Sequence, residues 1–152
     1  MQQAIEEALK ADPNKVYPNP LVGCVIVKNE KIIGRGYHKK FATNHAEVNA
    51  IESLETPVKN ADLYVTLEPC AHFGKNPPCV GAIIKSKMFK KVVIAVTDPN
   101  KKAMGGIDEL KKAGIDVPYM VKDDEGHGFY NEENQFDFYR EVEKFLKKHI
   151  GA

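Results

Sequence analysis

Apolar and polar positions follow two rhythms along this chain. From Met1 to Lys10 the apolar residues recur at three- and four-residue intervals, which predicts a helix. "VGCVIV" (22–27) is a continuous apolar run, "KNEK" reads as a turn and "IIGRGYH" as a second strand, so the pair predicts a hairpin. Asn44 stands where an N-cap would open a helix from about His45 to Leu54, with Val48, Ile51 and Leu54 along one face. "DLYVTLEP" predicts a strand stopped by Pro69, "CVGAIIKSK" a helix, and "KVVIAVTDP" a strand ending at Asp98-Pro99. "IDELKKAG" reads as a helix closed by Gly114, and "IDVPYMV" as a last strand in which Pro118 suits an edge. "FDFYREVEKFLKKHI" is amphipathic, with Phe136, Tyr139, Val142, Phe145 and Leu146 at roughly helical intervals. Strands alternating with helices suggest a central sheet covered on both faces.

Composition narrows the class. A chain of 152 residues predicts one domain, 1–152, with one core. Lys+Arg 22 against Asp+Glu 21 leaves a formal charge of +1, so nothing calls for a nucleic acid or an anionic membrane as partner. No apolar run approaches the roughly 20 residues of a membrane span, and the N-terminal "MQQAIEEALK" lacks the regions of a signal peptide. The expected location is cytoplasmic, with reduced thiols. Three cysteines make an odd count, which disfavours a disulfide framework.

The chemistry concentrates in "HAE" (45–47) and "LEPCAHFGKNPPC" (67–79). His45 opens a predicted helix, Cys70 follows a predicted strand, and Cys79 opens another helix. One imidazole and two thiols converging from such positions make a three-ligand zinc set, which keeps a fourth position for water. Glu47, two residues from His45, is placed to move protons without binding the metal. Two other readings stay open. Cys70 and Cys79 could form a redox pair, although eight intervening residues are not the C-x-x-C spacing. The zinc could be structural, with His72 as a fourth ligand. Spacing favours the catalytic site. Cys24, inside "VGCVIV", reads as a buried core thiol.

H-x-E followed by a Pro-Cys and a second Cys is the signature of zinc nucleobase deaminases, here with C-x8-C in place of C-x-x-C. "PNPLVGCVIV", "HAEVNAI", "YVTLEPCAHFGKNPPC" and "VVIAVTDPN" together resemble the pyrimidine deaminase domain of riboflavin biosynthesis, over about residues 4–117. That resemblance implies a three-layer α/β/α fold of the cytidine-deaminase type, with a five-stranded mixed sheet. It implies zinc on His45, Cys70 and Cys79, with Glu47 as general acid and base. The implied substrate is a phosphorylated pyrimidine: a 2-aminopyrimidinone carrying phosphoribosylamine, which loses its 2-amino group as ammonia. Asn19, His38, His72, Lys75, Asp98 and Asn100 would line its pocket, Lys75 and the histidines toward the phosphate, Asn and Asp toward ring and ribose. A dimer or higher homo-oligomer is implied by analogy. Three features depart from the family. Ala42 replaces a glycine usual before "HAE", the "DPNKKAMGG" loop is short and lacks a second proline, and no reductase-like segment follows, so deamination alone is expected.

The tail, 118–152, departs further. "DEGHGF" and the helix after it resemble the C-terminal segment of prolyl-oligopeptidase-type serine peptidases, which suggests a chimera. A hydrolase using His127 would need a G-x-S-x-G elbow. Ser53 and Ser86, the only serines, lack the flanking glycines. The tail is therefore expected to complete the domain as a strand and helix. A chimeric or designed fold with impaired catalysis is the other alternative to the deaminase.

Overall fold

The structure, a computed structural model, describes residues 1–118 and Arg140. The chain divides into two compact units, 1–118 and 119–152. The expected C-terminal strand and helix, with the hydrolase-like "DEGHGF" and the amphipathic face from Phe136 to Leu146, lie outside the described residues.

Unit 1 runs α1 (Gln2–Ala8), α2 (Pro13–Val16), β1 (Gly23–Lys28), β2 (Lys31–Tyr37), α3 (Ala46–Glu52), β3 (Ala61–Val65), α4 (Cys79–Ser86), β4 (Phe89–Ile94) and α5 (Gly106–Lys112). Each expected element up to Gly114 is present. The short α2 was not expected. It starts at Pro13, and the Asp12 carboxylate caps it by accepting from the Asn14 N–H at 2.9 Å.

The sheet order is β2-β1-β3-β4, with β1 antiparallel to both neighbours and β3 parallel to β4. Asn29 and Glu30, at φ 49° and 63°, make the tight turn that returns the hairpin. The sheet is mixed, as expected, but has four strands among the described residues. Of the strand expected over 115–121, one parallel bridge is described, Lys91 to Asp116, in which the Val92 N–H donates to the Asp116 carbonyl at 2.8 Å. The β3 strand also ends earlier than expected, at Val65, because Thr66 to Pro69 turn away to build the site.

Strand register sorts the two faces. Ile26, Leu63 and Val92 stand side by side on three neighbouring strands, all fully buried. Burying each such side chain contributes about 1.5–3 kcal/mol. Their face carries α3, and α4 packs beside α3. The opposite face of β1 and β2 carries α1, held by the buried Glu7 carboxylate, which receives Arg35 at 3.1 Å and Lys10 at 2.7 Å.

Packing decided the facing of α3. Its buried residues are Ala46, Glu47 and Ala50, while the expected stripe of Val48, Ile51 and Leu54 is only half-buried. Gly36 explains this. A Cβ on it would lie 2.3 Å from the Ala50 nitrogen and 2.4 Å from the Ala46 carbonyl oxygen. The helix backbone thus rests on a glycine of the strand, and only small residues fit at the contact. The N-cap also differs from the expectation. It is His45, without a side-chain cap bond, whereas the Asn44 amide donates to the Glu52 carboxylate at 3.1 Å.

Candidate metal centre

Strands β2, β3 and β4 point the same way, so His38, the 66–70 segment and the 95–100 segment all emerge at one edge of the sheet. That edge is the place where open α/β sheets bind ligands. A cleft of about 930 Å³ opens there. Of the residues singled out in the sequence, His45, Glu47, Cys70, Asn19, His38, His72, Lys75, Asp98 and Asn100 line it. Cys79 alone stands behind the wall, 1% exposed.

His45 and Cys70, which line the cleft, come together with Cys79 just behind them. The His45 Nδ1 lies 3.6 Å from the Cys70 sulfur and 3.2 Å from the Cys79 sulfur. The Cys79 N–H, at the first position of α4, donates to the Cys70 sulfur at 3.3 Å. One donor atom from each residue fits within 4.8 Å of the others. Both thiols are free. His72 is exposed and outside the group, so the fourth protein ligand of a structural zinc is missing among the described residues. A borderline-soft nitrogen, two sulfurs and an open side toward the cleft suit a catalytic zinc.

The electrostatics favour a cation. Hydrogen bonding from Cys79 draws the Cys70 thiol down to about 4, against burial that opposes it. The same contact and burial raise the Cys79 thiol. The opposite shifts come from one sulfur–sulfur contact, and a divalent cation held by His45, Cys70 and Cys79 would favour both thiols as thiolates. The hydrogen bond to Cys70 raises His45. Glu47, 3% exposed, has its carboxyl pushed up to about 7, chiefly by burial. Cys24 is fully buried in β1, which raises its thiol, as expected for a core residue.

Around this floor the other residues divide by environment. His38 is 2% exposed, and both its ring nitrogens are engaged, Nδ1 with the Asn44 carbonyl and Nε2 with the Asn19 amide, each at 3.1 Å. Donation to the carbonyl leaves Nε2 to accept from Asn19, and burial lowers the His38 pKa. Its ring packs edge-on against His45, centroids 5.2 Å apart. His38 thus fixes Asn19 and the loop before His45, and its nitrogens are not offered to a phosphate. Lys75 and His72 are exposed on the Cys70–Cys79 loop, with the Lys75 Nζ 4.4 Å from the centre of the Phe41 ring. The Asp98 carboxylate accepts from the Asn100 N–H at 2.8 Å and tightens the turn after β4.

Ala42 lies on the cleft wall at φ 64°, the left-handed region that favours glycine. An alanine there costs roughly 1–2 kcal/mol. Ala42→Gly is expected to stabilise the chain by about 1 kcal/mol, a rise of about 2–4 °C in Tm. A calorimetric scan showing a lower Tm in the variant would count against the strain.

One residue of the cleft was not singled out from the sequence. Glu68 is 4% exposed, and its two carboxylate oxygens accept three backbone N–H groups. A charged residue between Leu67 and Pro69, next to a candidate metal ligand, was the available signal. Both serines are spent locally. The Ser53 hydroxyl donates to the Ala50 carbonyl and accepts from the Arg35 N–H, and the Ser86 hydroxyl donates to the Ile83 carbonyl. Neither lines the cleft. No helix among the described residues is long and apolar enough to cross a membrane.

Comparison with known proteins bears on the same stretch. The cytidine and deoxycytidylate deaminase zinc-binding region matches residues 1–96, which include His45, Glu47, Cys70 and Cys79. A diaminohydroxyphosphoribosylaminopyrimidine deaminase of Buchnera aphidicola is 54% identical over 101 residues, 66% of this chain and 68% of that protein. The riboflavin biosynthesis protein RibD of Aquifex aeolicus is 51% identical over 110 residues, 72% of this chain and 31% of that protein. The crystal structure of a diaminohydroxyphosphoribosylaminopyrimidine deaminase/5-amino-6-(5-phosphoribosylamino)uracil reductase from Thermotoga maritima superposes with a TM-score of 0.72 at 46% identity, over 77% of this chain and 34% of that one. The chain thus spans about two thirds of the first relative and about a third of the other two.

Proposed function

The chain belongs to the cytidine and deoxycytidylate deaminase family, on its diaminohydroxyphosphoribosylaminopyrimidine deaminase branch, and we propose that it hydrolyses the 2-amino group from a pyrimidinone carrying phosphoribosylamine. The observation that carries this reading is one imidazole and two sulfurs within 4.8 Å, with Glu47 buried beside them at the floor of a cleft. A zinc on His45, Cys70 and Cys79 would supply a Lewis acid that makes water nucleophilic at neutral pH. The chain's own residues do the rest. Glu47 takes a proton from the attacking water and passes it to the amino nitrogen, which leaves as ammonia while the ring carbon becomes a carbonyl. Its burial, which favours the protonated acid, suits a group that must both accept and return a proton. His38 holds Asn19 at the cleft wall, ready to bond the ring.

Lys75, exposed on the Cys70–Cys79 loop and lining the cleft, supplies the cation proposed for the substrate phosphate. Lys75→Ala is therefore expected to raise KM about tenfold with kcat nearly unchanged, the mark of lost ground-state binding. An unchanged KM would remove Lys75 from the phosphate site. The overall reading is tested by elemental analysis and by ammonia release from the phosphoribosylaminopyrimidinone. One zinc per chain with metal-dependent ammonia release supports it, and a reconstituted protein that binds no zinc excludes it.

A cytoplasmic location goes with this function, since both ligand thiols must stay reduced. Association into a homo-oligomer is proposed by analogy with related domains. The peptidase-like tail is taken as a structural addition, and a role for His127 is disfavoured because neither serine stands in a G-x-S-x-G elbow.

A further inference from the structure

The segment that delivers Cys70 is laced to the β4–α5 loop at several points, and most of them meet at one side chain. The Glu68 Oε1 accepts from the Gly105 N–H at 3.0 Å and the Ile107 N–H at 3.2 Å. Its Oε2 accepts from the Asp98 N–H at 3.1 Å. The main chain adds the Glu68 N–H on the Val96 carbonyl at 2.9 Å and the Ala71 N–H on the Ala103 carbonyl at 3.1 Å. Gly106 closes the contact. A Cβ there would lie 2.0 Å from the Pro69 carbonyl oxygen, so the α5 N-terminus sits directly on the backbone before Cys70.

A buried carboxylate must have its lone pairs met, and three backbone donors do that here. Those donors are the two ends of the loop that carries Asp98 and Asn100. One side chain thus bonds the backbone at both ends of this loop.

We propose that Glu68 is a positioning residue, one that sets the Asp98–Asn100 turn at a fixed distance from the metal ligand Cys70 and so tunes substrate binding. This rests on the reading, made above, that Asp98 and Asn100 meet the substrate. Both carboxylate oxygens are already held by backbone donors, which suits a positioning role. The effect of the carboxylate reaches the reaction through the loop alone. Misplacing a binding group by about 1 Å can cost up to ~100-fold in rate, so releasing the loop should be visible in KM.

The test compares Glu68→Gln and Glu68→Ala with the unaltered full chain in its zinc-loaded form. Glu68→Gln keeps the shape and one acceptor oxygen, so it carries the test if the alanine variant does not fold. Three readouts are taken: zinc content, amide hydrogen exchange at Asp98, Gly105 and Ile107, and the separate KM and kcat for ammonia release. The expected result is unchanged zinc, faster exchange at those amides, and a KM that rises from Glu to Gln to Ala, by about tenfold or more in Ala, with kcat much less affected. Unchanged exchange at the three amides overturns the clamp whatever the kinetics. Faster exchange with an unaltered KM, while Asp98→Ala does raise KM, overturns the positioning role. If Asp98→Ala and Asn100→Ala also leave KM unaltered, the substrate contacts fail, and the positioning role fails with them.

Discussion

Glu47→Gln is expected to lower ammonia release by about 10²–10⁴-fold, the range for losing a positioned acid–base group. The variant is expected to keep the fold and one zinc per chain. Glutamine has nearly the same shape, so the packing around this buried first-turn residue of α3 should hold. The ligands His45, Cys70 and Cys79 are untouched. What goes is the ability to take a proton at one stage and return it at the next. Elemental analysis and turnover on the same preparation separate the two outcomes. Zinc retained with turnover near that of the unaltered chain would exclude Glu47 as the proton carrier. Loss of zinc would move its role to the metal site.

Cys79→Ala is expected to remove the metal and bring ammonia release down to background. Cys79 starts α4, and its sulfur stands 3.2 Å from the His45 Nδ1. Without it, two donors remain where a tight zinc site needs at least three. A metal present at about 1,000 times its Kd adds about 4 kcal/mol to stability, so the variant should also melt roughly 10 °C lower than the zinc-loaded chain. Treating the unaltered chain with a chelator should lower its Tm in the same direction, and should not affect Cys79→Ala. Cys24→Ala provides the contrast, since Cys24 lies in the core of β1 and should lose stability but not zinc. A full equivalent of zinc in Cys79→Ala would sink the three-ligand assignment.

The proposed metal ligands were legible in the sequence because their chemistry is carried by rare residue types at fixed places relative to helix starts. His45 and Cys79 do stand at the starts of α3 and α4, and Cys70 follows β3 after the short turn of Thr66 to Pro69. The roles of the other cleft residues were less legible. A histidine in a motif can meet a ligand or hold the site together, and only the paired contacts of His38 to Asn19 and to the Asn44 carbonyl show that it holds. Glu68 stayed hidden for a similar reason, because its partners lie 30 to 39 residues away.

The order of strands and helices along the chain, the short α2 apart, the hairpin turn at Asn29-Glu30 and the proposed donor set of the metal site follow from the sequence alone. Each depends on residues close in the chain, or on side chains whose chemistry has few other uses. The tertiary structure decided how α3 faces the sheet, how α5 closes on Pro69, and which carboxylate joins Cys70 to the Asp98 turn. Backbone contact at Gly36 turned α3 onto its small residues, against the stripe that its apolar spacing suggested. Backbone contact at Gly106 brought the α5 N-terminus within reach of Glu68. Such close approaches depend on the absence of a side chain, and a glycine does not say in the sequence what will come to rest against it.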